Sequence, residues 1–76
     1  MDQKEVERLV ETHLWLDLKE AEEDLVAGKE VQIEVTGETM AEKISIIAAA
    51  LWIVEKMRER SWDFATALSA YRQIIR

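Results

Sequence analysis

The stretch Val31-Gln32-Ile33-Glu34-Val35 decides the fold class of this chain, because β-branched and polar residues alternate in it. Such alternation is typical of a strand with one buried face, and helix-forming sequence lies on both sides. A lone strand leaves its backbone N–H and C=O groups unpaired and is not stable by itself. We therefore predict that it pairs antiparallel with the same strand of a second copy, forming a homodimer.

The predicted dimer interface consists of Val31, Ile33 and Val35. An antiparallel pair centred on Ile33 places Val31 of one copy opposite Val35 of the other, so all three side chains share one face. The next predicted helix covers that face. The alternative is an internal hairpin between the strand and residues 42–47.

The first predicted helix precedes the strand. Asp2 and Glu5 fit a capping-box start, and Gly28 is placed as the left-handed residue just beyond an end near Ala27. Large apolar side chains at Leu14-Trp15-Leu16 point to more than one side of this helix. We expect the helix to contact two neighbours.

The second predicted helix follows the strand and a turn. Thr39 and Glu42 form a capping box that opens it, and it continues over residues 40–59. Residues 44–54 are apolar almost all round, which predicts a central, buried helix. The alanines at 48–50 are small enough for another helix to approach closely.

The third predicted helix has Ser61 as its N-cap and Asp63 in its first turn, and it runs towards Arg76. The order helix, strand, helix, helix predicts one mostly helical α+β domain over residues 1–76.

Composition narrows the classes of function. The chain has 76 residues, no cysteine and a net charge of −6. The absence of cysteine excludes disulfides and thiolate metal sites, and with a polar N-terminus it favours the cytoplasm. The negative charge opposes nucleic acid and anionic lipid, and residues 44–54 are too few to cross a bilayer. We expect no nucleic-acid or membrane partner, and a neutral or basic protein instead.

The second half of the first predicted helix is strongly acidic, with Lys19 as its single cation. This run is either a solvated face that aids solubility or a docking surface for a basic protein. Trp15 and Trp62 lie off the main apolar stripes and add to the second interpretation. The candidate partner surface is Trp15, Glu20, Glu23, Asp24 and Trp62.

One stripe of side chains has the spacing of a catalytic or metal site. His13, Asp17, Glu20 and Asp24 follow helical spacing along one side, as ligands in helical bundles do. The central turns of the second predicted helix offer no His, Asp or Glu to complete a coordination shell. With a single histidine in the chain, catalytic triads are also disfavoured. We predict no cofactor, no metal and no enzymatic activity.

A strand followed by two helices, residues 31–76, resembles the ribbon-helix-helix dimers, whose paired strands enter the DNA major groove. The resemblance implies a transcription regulator, but Gln32 and Glu34 occupy the outward strand positions without a basic cluster. Residues 28–35 also resemble the helix-to-strand passage of small antitoxin domains. The leading hypothesis is a small acidic homodimeric regulator or adaptor that binds protein. The alternatives are a ribbon-helix-helix regulator and, third, a metal-dependent all-helical enzyme.

Overall fold

The computed structural model describes residues 3–31 and 33–74, and these contain four α-helices and no strand. The predicted α+β class is therefore wrong, and the fold is all-helical. The helices are α1 (Gln3–Thr12), α2 (Trp15–Val26), α3 (Met40–Arg60) and α4 (Phe64–Ile74). The predicted cap at Asp2 and the predicted end at Arg76 lie outside the described residues.

Helix α3 is the centre of the fold, as its sequence predicted. It packs against each of the other three helices, and it is buried on several sides because apolar residues surround its axis. The buried apolar residues come from all four helices. They are Val6, Leu9, Leu18, Ala21, Leu25, Ile46, Ile47, Ala49, Ala50, Leu51, Ile53, Ala67 and Leu68.

Residues 29–39, which we name the strap, connect α2 to α3. Val31, Ile33 and Val35 are half-buried and pack against the chain's own helical core. The carbonyl oxygen of Glu34 accepts a hydrogen bond from Arg8 Nη2 at 2.7 Å. The alternation at 31–35 therefore reflects one-sided packing of an irregular segment on helices, and the predicted strand pairing is wrong.

A break separates α1 from α2, where the sequence predicted one continuous helix. Leu9 and Leu18 are nine positions apart, which places them about 180° apart around a single α-helix. Both are fully buried, because the chain turns at extended Leu14 and resumes as α2. The Leu14 N–H donates to Asp17 Oδ2 at 3.4 Å, which satisfies one donor at the start of α2.

The end of α2 confirms the role predicted for Gly28. Gly28 has a φ of 77°, and its N–H donates to the carbonyl of Leu25 at 3.1 Å. The N–H of Lys29 donates to the carbonyl of Asp24 at 2.8 Å. These two bonds form a Schellman motif, which favours glycine at the left-handed position.

Of the two N-caps predicted for the last two helices, one is confirmed and one is wrong. Thr39 Oγ1 accepts from the N–H of Glu42 at 3.1 Å, which confirms the predicted N-cap. Ser61, the N-cap predicted for the last helix, instead ends α3 with a φ of 56°. Asp63 Oδ1 accepts from the N–H of Thr66 at 2.8 Å and caps α4. The Thr66 hydroxyl, and then this backbone bond, lower the pKa of the Asp63 carboxyl.

Candidate partner-binding surface

The outer face of α2 carries Glu20 and Glu23, two of the five residues of the predicted partner surface. Leu16, Glu20 and Glu23 are all exposed and follow i, i+4, i+7 spacing, so they share one side of the helix, away from the buried side. We name these three residues the α2 face. Lys19, the single cation of α2, pairs with Glu22 at 3.2 Å. The α2 face therefore combines one exposed leucine with two exposed carboxylates.

The three carboxylates of the predicted stripe border the strap. Asp17, Glu20 and Asp24 line a small cavity of about 50 Å³ together with Ala21 and Ile33. His13 lies in the break before α2 and outside this cavity. Within residues 3–31 and 33–74, no three His, Cys, Asp or Glu side chains are arranged to hold a metal ion.

Trp15 lies at the start of α2, against the second half of α3. Its Nε1 donates to Glu55 Oε1 at 3.0 Å, across 40 positions of sequence. Trp15, Glu55, Arg58 and Glu59 line an open groove of about 460 Å³, which we name the Trp15 groove. Leu14, directly before Trp15, is 75% exposed. Apolar and acidic surface therefore meet at this end of α2.

Trp62, the other tryptophan of the predicted surface, is partly buried against the core. The guanidinium carbon of Arg60 lies 5.9 Å from its ring centroid. Trp62 is not among the residues that line the Trp15 groove. The structure therefore brings Trp15 close to the α2 face and leaves Trp62 in a separate contact, already covered by a cation of its own chain.

Sequence reasoning missed the residues that α3 contributes to the groove. Glu55 and Glu59 are one helical turn apart and both exposed, which is the pattern of an ordinary solvated face. Their position opposite Trp15 depends on the break before α2, which sets the direction of that helix. The exposed i, i+4 acidic pair was the only local signal.

A second polar contact that sequence reasoning missed ties the strap to α1. Glu5 is buried, and both of its carboxylate oxygens accept hydrogen bonds from the guanidinium of Arg8. Arg8, and then Thr36 of the strap, lower the pKa of the Glu5 carboxyl against the opposing effect of burial. Because Arg8 also donates to Glu34, this pair fixes the strap on the helices.

The chain belongs to a family of unknown function, DUF6952, whose model matches residues 1–76. No curated protein and no solved structure matches the chain. In the described part of the chain, no helix is both long and apolar enough to cross a membrane. Family membership brings no activity, ligand or partner with it, so functional argument depends on the surface.

Proposed function

We propose that this member of the family is a small protein-interaction module, a regulator or adaptor that binds a basic partner and catalyses no reaction. The observation that carries the proposal is the α2 face, where an exposed leucine precedes two exposed glutamates on one side of the helix. A surface with this pattern fits a partner that presents basic residues around an apolar side chain.

Electrostatics supports a basic partner. The carboxylates of α2 lie at helical spacing, where like charges repel each other, and Lys19 is engaged with Glu22. The net charge of the whole chain is −6. Lysine or arginine from a partner would relieve that repulsion and would accelerate encounter at low salt.

The exposed leucines support a protein partner in particular. Leu14 is 75% exposed and Leu16 is 60% exposed, and they flank Trp15. Burying such side chains contributes about 25 cal/mol per Å² of apolar surface removed from water. An apolar contact surrounded by charges is the usual anatomy of a protein interface, with an apolar centre and a polar rim.

The two other hypotheses lose their support. The ribbon-helix-helix resemblance depends on a strand, and residues 31 and 33–35 are not a strand in the structure. The metal-dependent enzyme depends on the His13 stripe, which forms no metal-holding group in the described residues. We place the module in the cytoplasm, because a chain without cysteine gains no stabilising disulfide in an oxidising compartment.

Charge reversal tests this proposal. A partner is first captured from source cells, purified and titrated against the pure chain. The triple variant Glu20→Lys, Glu23→Lys, Asp24→Lys should weaken binding by at least tenfold, because three attractions become repulsions. The matched control reverses Glu7, Glu11 and Glu30, which are exposed and lie off α2.

The control variant should bind within about twofold of the wild type at equal ionic strength, since screening limits distant charges to small effects. Equal loss of binding in both triple variants would mean that only net charge matters, and the α2 face would be rejected. Circular dichroism of each variant confirms that the helices remain.

A further inference from the structure

We infer that the Trp15 groove binds an arginine side chain of the basic partner, through the indole of Trp15 and the carboxylates of Glu55 and Glu59. This inference rests on the proposed function and extends it, because it adds a specific contact on α3 to the acidic face of α2. It also names the side chain that the partner must supply.

The chain's three tryptophans differ in whether a cation of the chain lies near the ring. Lys56 Nζ lies 5.6 Å from the ring centroid of Trp52, and the guanidinium of Arg60 lies 5.9 Å from that of Trp62. Both distances fall within the range of about 6 Å in which a cation is attracted to an aromatic face. Within the described residues, Trp15 has no cation in this range, yet it lines an open groove.

The groove already contains the anions that an arginine needs. Glu55 Oε1 accepts from the indole N–H at 3.0 Å and so fixes the ring, while its Oε2 accepts no hydrogen bond from another described residue. Glu59 lies one turn further along α3, exposed at the same groove; its Oε2 accepts from Lys56 Nζ at 3.2 Å, and its Oε1 accepts no hydrogen bond from another described residue. A planar guanidinium can stack on an indole and donate to carboxylates at once, which an ammonium group does less well.

Arg58 also lines the groove and makes no ion pair with another described residue. Its positive charge competes with an incoming cation for Glu55 and Glu59. Removing that charge should therefore strengthen binding of an arginine side chain. This increase in affinity distinguishes a binding groove from a merely structural contact, because a damaged structure does not bind more tightly.

The test is a titration of a capped tetra-arginine peptide into the ¹⁵N-labelled full chain, followed by the three indole N–H signals. We expect the Trp15 signal to shift, while those of Trp52 and Trp62 move little because their rings already have cations. The control peptide carries citrulline in place of arginine, which keeps the shape and removes the charge. It should produce no shift.

Two variants separate charge from structure. Glu55→Gln keeps an acceptor for the Trp15 indole but loses the negative charge, and it should weaken binding about two- to fivefold, as expected for a contact of about 0.5–1 kcal/mol. Arg58→Gln should strengthen binding by a similar factor. Equal shifts with citrulline, equal shifts of all three indoles, or an unchanged affinity in both variants would overturn the inference.

The same spectra separate this inference from the proposed function. Backbone amide signals of Glu20 and Glu23 report on the α2 face. Shifts there without a shift of the Trp15 indole would reject the arginine site and leave the basic-partner module in place. An absence of shifts at both places would reject both for a basic peptide.

Discussion

The Glu5–Arg8 pair is the clearest single contribution of polar residues to this fold. Glu5 is only 8% exposed, so its charge would be costly without partners. Arg8 supplies two hydrogen bonds to the carboxylate and a third, from Nη2, to the Glu34 carbonyl. One guanidinium therefore neutralises a buried anion and replaces the strand partner that the strap backbone lacks.

Glu5→Gln should lower the free energy of unfolding by about 1.5–3 kcal/mol at neutral pH, the range for hydrogen bonds to charged groups. The lowered pKa of Glu5 means that the unfolded chain takes up its proton first as the pH falls. Its stabilisation is complete above the ordinary carboxyl pKa and is lost as the pH falls through the lowered one. Urea unfolding across this range should show the two proteins converging at low pH.

The control for that experiment is Glu7→Gln, which removes an exposed charge from the same helix. It should change the free energy of unfolding by less than about 0.5 kcal/mol. The Asp63 pKa is also lowered, but that residue is present in every protein compared, so its effect cancels. A constant gap between wild type and Glu5→Gln down to strongly acid pH would contradict the assignment.

At the scale of elements, local signals predicted the end of α2 and the start of α3, whereas the break between α1 and α2 was missed and the N-cap of the last helix was wrong. Gly28 and Thr39 were predicted correctly because Schellman and capping-box motifs depend on neighbours within a few residues. The strand was wrong because one-sided burial produces the same alternation whether an extended segment packs in a sheet or on helices. The hydrogen bond from Arg8 to the Glu34 carbonyl spans 26 positions, so it could not be predicted from neighbouring residues.

The break before α2 was readable in principle from the phase of the apolar pattern. Val6 and Leu9 fit one helical face, whereas Leu18 and Leu25 fit a face about half a turn away. The candidate surface shows the same limit. Trp15 was predicted from its position off the stripe, but its partner Glu55 depends on how α2 crosses α3.

Hydrogen exchange distinguishes a strap from a paired strand. The amides of Val31, Ile33 and Val35 donate no hydrogen bond to another described residue, so they should exchange quickly. Amides in the middle of α3, such as that of Ala50, should be slower by several orders of magnitude, because their exchange requires the core to open. Protection of the strap amides at high protein concentration would instead indicate pairing with another chain.

At the scale of the whole molecule, the other three helices pack around α3. Its radius of gyration is 11.7 Å, close to the about 11 Å expected for an ordinary domain of this length. Arg72 near the end of α4 donates to Gln3 Oε1 at 2.6 Å, which joins the last helix to the first. Three helices thus share one central helix, and its surface determines how closely they approach.

Ala50 tests that arrangement, because it is fully buried on the helix that the other three contact. Ala50→Leu forces extra methyl groups into a filled space and should lower the free energy of unfolding by about 1–3 kcal/mol, measured in urea. Ala65→Leu makes the same change at an exposed position of α4 and should stay within about 0.5 kcal/mol of the wild type. Equal stability of the two variants would mean that the space around α3 is loosely packed. The prediction that another helix approaches the alanines of α3 closely would then be wrong.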